Sequence, residues 1–591
     1  MPAARKSKPA PRQPRAAART APKGISLRAH RGSGSTLLAM DLAKDQLKDF
    51  AGFALWRTAP GGHPEALVNR LSFDTHYTKD TTAEQRTWTP SNEAPFQKFR
   101  WTDFTEGLPG TYTYRATAMH FDRTGGLREG ASAEARLELE PSAHGAYQLG
   151  FTRGYLSSQA YAERFKNADV RPQPKTLDYD PAKFRAQYEW LGYHARRLLE
   201  ATLDEAVKDK AVTVDALVFD FDDVETLHRL EALGKRLRIV MDDSGEHQAE
   251  PAKPGKKAKA PPLELAARAR LAKTAGAANV KTGHFARFAH CKVFVLRRNG
   301  VPYKVLTGSA NFSVRGLYVQ ANNVLLFDDR EVAAAYGKAF EQSFKDPTGA
   351  APFNASDVAR QWHTFQGAGV RNVQVAFSPH KDSTAFLGPV AQAMDGAKKS
   401  VLFAVMQMAG GGPVMDALRN LRGKGDVFSY GITQTYDDQD DSKSGVQVEK
   451  PDGSTGALAT FAALDKHVPA NFRKEWSGGP GQVIHHKFIV CDAGTPQGVV
   501  FTGSSNLADG GEEANGDNLI AIRDPATVDA FAVEAIRLFD HYHFRDAMRS
   551  ATDEKPLTLQ GPGAQVPWWT PYYDPQNVKM KDRLLFGQPV Q

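Results

Sequence analysis

Two long stretches of the chain carry the same succession of short apolar runs and helix-period segments. In the first, Tyr147 to Phe151 is followed by a helical segment ending near Lys208, then by the runs Ala216 to Phe219 and Leu237 to Met241. In the second, Val373 to Phe377 leads into a helix ending near Lys399, then Val401 to Val405 and Val427 to Ile432. Apolar runs of four to eight residues bounded by turn signals predict buried strands. Each series then reaches a further apolar run, Cys291 to Leu296 and Lys487 to Cys491, with a shorter one behind it, Tyr303 to Leu306 and Gly498 to Phe501. Strands alternating with helices predict an α/β class, with a mixed, mostly parallel sheet in each half.

The flanks follow different patterns. Phe53 to Arg57 and the alternating stretch Tyr112 to Phe121, entered through the Leu108-Pro109-Gly110 turn, predict a β-rich module. That turn and strand resemble part of a fibronectin type III sandwich, a likeness of about a dozen residues. A helix is expected over Ala526 to Ala547, with Phe531, Ala535, Leu538 and Phe539 on its apolar side. The expected organisation is a basic disordered tail over 1–34, a β-sandwich over 35–141, and repeats over 145–350 and 368–547. A C-terminal extension over 548–591 carries Trp568, Trp569, Tyr572 and Tyr573 between prolines. Such a cluster is expected to latch the extension onto a domain surface.

Within this frame one polar pattern is written twice. The first copy is His290, Lys292, Gly308, Ser309 and Asn311; the second is His485, Lys487, Gly503, Ser504 and Asn506. Residues two apart on a strand share a face, so each His and Lys project together. The Gly-Ser-x-Asn turns are expected to bring a hydroxyl and an amide beside them. If the halves pack about a pseudo-twofold axis, two imidazoles and two ammoniums converge. That set suits a phosphodiester: one imidazole attacks phosphorus, the other protonates the leaving oxygen and then activates water, and the lysines hold the non-bridging oxygens. Because fixed cations supply the charge, no metal or cofactor is expected. His486 has the opposite strand parity from His485 and is expected to face away.

These residues resemble the phospholipase D superfamily, whose signature is H-x-K-x4-D followed by G-S-x-N. The second copy is complete through Asp492, whereas Arg297 stands at that place in the first. A further orienting acid is matched by Asp517 in the second half and by Asn322 in the first. The resemblance covers about residues 145–547. It implies two phospholipase D-like α/β sandwich repeats about a pseudo-twofold axis, preceded by the β-sandwich. It implies catalytic roles for His290, Lys292, His485, Lys487, Asp492 and Asp517, and phosphate binding by Ser309, Asn311, Asn322, Ser504 and Asn506. One orienting acid in place of two implies unequal roles for the histidines.

Composition narrows the partners. The net charge of +8 comes from the first 31 residues, which hold nine Lys and Arg and no acid; the remainder sits at −1. The tail can meet an anionic membrane surface or nucleic acid, or stay solvated. Four lysines crowd an insert at Glu250 to Pro262, while the matching Thr435 to Ser454 is acidic and Gly-rich. Loops of opposite sign make a poor nucleic-acid groove and favour a compact substrate. Apolar runs such as Ser400 to Met408 are too short to span a bilayer, and residues 1–31 lack the apolar core of a signal peptide. The only cysteines, Cys291 and Cys491, are expected to be buried and reduced. A monomer is expected, cytoplasmic, membrane-peripheral or exported by a non-classical route. The resemblance implies a phosphodiesterase, with hydrolysis or transfer of phospholipid head groups placed first. An endonuclease comes next, and a catalytically impaired phosphate-binding protein is the alternative of another class.

Overall fold

A computed structural model describes residues 24–588, apart from 83–84, 106–108, 140–142, 145, 155–158, 250–259, 348, 407, 409, 422–425, 436–444, 450–454 and 461–482. The first 23 residues of the basic tail, the lysine-rich insert and most of the acidic loop lie outside the described residues.

The N-terminal module is built from β1 (Ile25–Arg31), β2 (Ser35–Leu42), β3 (Phe50–Thr58), β4 (Pro64–Ala66), β5 (Val68–Asn69), β6 (Thr89–Pro90), β7 (Arg100–Phe104), β8 (Gly110–Phe121) and β9 (Leu127–Leu139). Sheets of order β1-β2-β7 and β4-β3-β8-β9 enclose a core of Leu38, Met40, Phe53, Phe99, Tyr112 and Tyr114. The tail ends earlier than its charge suggests. Ile25 and Leu27 are apolar on one face of β1, so residues 25–31 pair along β2 instead of extending the tail. The C-terminal aromatics close the same core: Trp568 lies 5.4 Å from Phe50 and Tyr572 4.8 Å from Phe99, ring to ring. Arg100 grips Asp582 through Nε at 2.7 and 2.8 Å and also pairs with Asp540, which ties module, second repeat and C-terminus together.

The first repeat contains β10 (Ala143–His144), β11 (Tyr147–Phe151), β12 (Val212–Val218), β13 (Leu237–Met241), β14 (Val280–Thr282), β15 (Val293–Arg298), β16 (Val301–Gly308) and β17 (Asn323–Phe327). The second contains β18 (His363–Thr364), β19 (Val373–Phe377), β20 (Ser400–Val405), β21 (Phe428–Thr435), β22 (Gly445–Glu449), β23 (Thr455–Thr460), β24 (Phe488–Cys491), β25 (Val499–Gly503) and β26 (Asn518–Ile522). The sheet orders are β10-β11-β17-β16-β15-β12-β13-β14 and β18-β19-β26-β25-β24-β20-β21-β22-β23. From β11 and β19 to β13 and β21 they correspond strand for strand, the two halves of one duplicated architecture. Helices pack on both sheets, and one apolar core joins the halves through residues such as Leu149, Val295, Val490, Ile520 and Phe531.

The expectation of mostly parallel sheets is corrected. Among the described strands of the two repeats, only β12-β13, β13-β14 and β20-β21 pair in parallel; the other strand pairings are antiparallel. The reason is the short connection between β15 and β16, where Asn299 (φ 51°) and Gly300 (φ 80°) make a tight hairpin turn. Parallel neighbours need a long crossover, and this chain supplies one only between the earlier strands of each repeat. The motif strands are central in their sheets: β15 and β24 lie between β12 and β16, and between β20 and β25. His290, Lys292, His485 and Lys487 precede these strands, at the ends nearest the partner repeat.

Candidate active site

The two motifs meet across the seam between repeats. Over this region the second half repeats the first at an offset of 195 residues, and the inter-repeat hydrogen bonds repeat with it. Ala321 N–H donates to Val483 O at 2.7 Å, and Gly516 N–H donates to Phe288 O at 2.8 Å. The Asn323 amide donates to Thr502 Oγ1 at 3.2 Å, and the Asn518 amide to Thr307 Oγ1 at 3.1 Å. These paired contacts hold the halves about their pseudo-twofold axis. Gly308 (φ 140°) and Gly503 (φ 132°) permit the turns; a Cβ at either would lie 2.4 Å from the carbonyl of Asn323 or Asn518.

Each histidine is oriented by the other half. His290 Nδ1–H donates to Asp517 Oδ1 at 2.7 Å. His485 Nδ1 faces two acceptors, Asn322 Oδ1 at 2.9 Å and the Ser309 carbonyl at 3.1 Å, so it too carries the proton. The Asn322 amide is fixed because its Nδ2 donates to Gly316 O at 2.9 Å. In both rings Nδ1 is committed and Nε2 keeps its lone pair. Both are buried. Burial pushes His290 below the ordinary imidazole range, with Asp517 working against that shift and Lys292 adding to it. Burial pushes His485 well below it, helped by Lys487, Lys292, His290 and Arg315.

Both lysines are buried and fold back on the motif, Lys487 Nζ donating to His485 O at 2.9 Å and Lys292 Nζ to His290 O. Burial lowers Lys292 to about 8, with Asp517, Asp220 and Asp242 resisting. Burial and the neighbouring Lys292 take Lys487 well below the lysine range. Asp517 is held down at about 2, where His290 and Lys292 outweigh its burial. His486 turns away to Glu534 (Nε2 to Oε1, 3.1 Å), which also pairs with Arg537. Both cysteines are buried and neither is in a disulfide, and burial raises Cys291 to about 12.

Four expected roles change. Ser309 Oγ donates to Asn322 Oδ1 at 2.8 Å and accepts Asn323 N–H at 3.0 Å, so its hydroxyl is spent on orienting Asn322. Ser504 Oγ likewise accepts Asn518 N–H at 3.0 Å and bonds Asp517. Asn322, expected at a phosphate, instead orients His485. Asp492 stands apart from the cluster, seven residues beyond His485 and about 20 Å along an extended chain. Its carboxylate accepts the N–H groups of Lys398 (2.9 Å), Lys399 (2.7 Å) and Ser400 (3.2 Å), clipping the loop ahead of β20. Arg297, at the matching place, pairs with Asp215 and Glu341. Its replacement of an acid therefore alters a structural clip and leaves the histidines untouched.

Several participants escaped sequence reasoning. Asp242 Oδ2, just past β13, accepts Ala289 N–H at 2.5 Å, immediately before His290. In the second half Gln434 Oε1 accepts Val483 N–H (3.0 Å) and Ile484 N–H (3.2 Å), immediately before His485. Asp220 follows β12 by two residues and accepts the Asn311 amide at 2.6 Å. A position at the C-terminal end of a predicted strand was the available signal. Among the described residues Asp220, His247 and Glu264 bring ligand atoms within 4.8 Å of one another. Both ring nitrogens of His247 are already spent on carboxylates, Asp220 at 3.0 Å and Asp242 at 2.8 Å, which suits a proton-bearing ring and not a metal ligand.

The sequence matches the family model described as "Cardiolipin synthase, PLD-like domain" twice, over residues 199–344 and 390–539, together half of the chain. The chain belongs to the phospholipase D superfamily. The duplicated architecture is the one the superfamily resemblance implied. No curated protein matches the chain. Among solved structures it is similar to phosphatidylserine synthase from Haemophilus influenzae (14% identity, 60% of this chain, 85% of that one, TM-score 0.37). It is also similar to polyphosphate kinase from Porphyromonas gingivalis (10% identity, 59% of this chain, TM-score 0.33), spanning 45% of that kinase. A third likeness is to Nuc, a phospholipase D family member from Salmonella typhimurium (16% identity, 34% and 93% coverage, TM-score 0.20). Likenesses this remote add nothing to the family assignment. Among the described residues no helix is long and apolar enough to cross a membrane.

Proposed function

We propose that the protein is a metal-independent phosphodiesterase working through a covalent phosphohistidine on His290. The crossed pairing of the histidines carries this reading: each Nδ1 is held by the opposite repeat, leaving two Nε2 lone pairs in one buried site. Attack by His290 Nε2 forms an N–P bond and breaks the P–O bond to the leaving alcohol. His485 Nε2 delivers a proton to that oxygen, then takes one from the water that displaces the histidine from phosphorus. His290 becomes cationic when phosphorylated, and Asp517 on its Nδ1 offsets that charge. His485 is paired with the neutral Asn322 amide instead and rests neutral; it holds a proton only while the anionic substrate lies beside it. We assign the non-bridging oxygens to Lys292, Lys487, Asn311 and Asn506.

The substrate class we propose is the phospholipid head group, hydrolysed or passed to an alcohol. The near-neutral charge of the chain beyond residue 31 supports a compact anion over a polymer of phosphates. The test compares head-group release from phospholipid vesicles with cleavage of a single-stranded oligonucleotide, both in EDTA, with His485→Ala as control. Head-group release lost in the variant supports the proposal. Oligonucleotide cleavage lost in the variant makes the protein a nuclease, and silence on both substrates overturns the catalytic reading.

A further inference from the structure

In the first repeat the grip on the backbone ahead of the motif histidine is charged, where the second repeat uses a neutral amide. His247 is enclosed at the end of β13 with both ring nitrogens on carboxylates. Asp242 also takes Ala289 N–H and Ser244 N–H, which fixes the chain entering His290. Asp220 also takes the Asn311 amide of Gly-Ser-x-Asn. The ring of His247 stands edge-on to Phe219 at 4.7 Å, and Phe219 lies 4.8 Å from the His290 ring and 4.9 Å from Lys292 Nζ. In the second repeat the corresponding grip on the backbone is made by the neutral amide of Gln434.

We propose that His247 is a positioning residue of the active site: a cationic clamp between Asp242 and Asp220 that sets the backbone of His290 and the amide of Asn311 relative to one another. The proposal rests on the phosphodiesterase reading of that site. The clamp has an electrostatic consequence. Asp220 and Asp242 help Lys292 keep its proton, and a positive His247 between them limits how strongly they do so. The other charged groups facing the clamp are Glu246 and Glu264, with Arg315 reaching Asp220. Two carboxylates on one imidazole hold it protonated, at about 10 against an ordinary 6.5.

Two substitutions separate this role from packing. His247→Gln removes the positive charge and one of the two carboxylate contacts. Turnover of bis(p-nitrophenyl) phosphate is expected to fall about tenfold, with the basic limb of the pH profile displaced upward because Lys292 gains proton affinity. Asp220→Asn removes a negative charge at a side chain one quarter exposed, and is expected to displace the same limb downward. Hydrogen exchange at the Ala289 amide should quicken in His247→Gln and stay slow in Asp220→Asn. Wild-type turnover with a protected Ala289 amide in His247→Gln overturns the proposal. A uniform loss at every pH with Ala289 exchange unchanged overturns it too. If His247→Gln does not fold, an unmoved basic limb in Asp220→Asn is contradictory. An inactive wild-type protein brings down the phosphodiesterase reading alone, because Ala289 exchange still reads the clamp.

Discussion

Replacing Asn322 by Asp restores the acid that the superfamily resemblance implies at this place, and the structure predicts harm instead of gain. Asn322 is fully buried, and its amide answers three partners at once. Oδ1 accepts from Ser309 Oγ at 2.8 Å and from His485 Nδ1 at 2.9 Å, while Nδ2 donates to Gly316 O at 2.9 Å. An Asp keeps the first two bonds but sets a carboxylate oxygen against the Gly316 carbonyl. The lost bond costs about 1 kcal/mol, and the carbonyl left without a donor adds about 1–3 kcal/mol. The new anion on its Nδ1 would raise the proton affinity of His485, and protonating that ring removes the neutral form the site holds at rest. Asn322→Asp should therefore lower stability by about 3 kcal/mol and leave turnover at or below the wild-type value. Thermal unfolding followed by circular dichroism and hydrolysis of bis(p-nitrophenyl) phosphate check the two parts. A tenfold rise in turnover with an unchanged unfolding midpoint would instead mark the native first half as impaired.

Other outcomes follow from the same geometry. Asp517→Asn turns a charge-assisted bond on His290 into a neutral one, a difference of about 1.5 kcal/mol, so single-turnover rates should drop about tenfold with substrate affinity little changed. Asp492→Ala strips the acceptor from the N–H groups of Lys398, Lys399 and Ser400 and leaves an Ala at φ 52°. Stability should fall by about 2–3 kcal/mol while the folded fraction keeps its kcat, measured by unfolding against active-site titration. Asp517 and Glu534 are each held at about 2, below their ordinary 3.8 and 4.5. Their stabilisation is present above about pH 4.5 and lost as pH falls through 2, so acid titration by circular dichroism should show unfolding in that window. Lys292, lowered to about 8, loses its charge as pH rises, and phosphate affinity measured by calorimetry should decline above that value.

How much was legible depended on the range of the interaction involved. Strands β11, β13 and β19 begin and end where the apolar runs do, because burial on both faces writes itself into consecutive residues. The duplicated His and Lys were legible through their common spacing. Sheet direction was not, since it is decided by which strands a short turn such as Asn299-Gly300 joins. The crossed pairing of Asp517 with His290 joins residues 227 apart and depends on how the halves dock. Ser309 was misassigned because a hydroxyl in a Gly-Ser turn can face substrate or backbone, and only the structure shows Asn323 N–H already on it. Asp492 was misassigned because a motif records co-occurrence, and this acid accompanies the histidine while serving the loop ahead of β20. Asp242 and Gln434 share a position and a task without sharing a residue type, so no motif could reveal them.

The central claim is the covalent histidine, and it is tested by trapping. His485→Ala, mixed with a 32P-labelled p-nitrophenyl phosphodiester, whose leaving group departs without a proton, in EDTA and quenched in alkali, should accumulate acid-labile label on the peptide containing His290. His290→Ala should carry none. Label on another residue, or turnover by His290→Ala at the wild-type rate, would contradict the account.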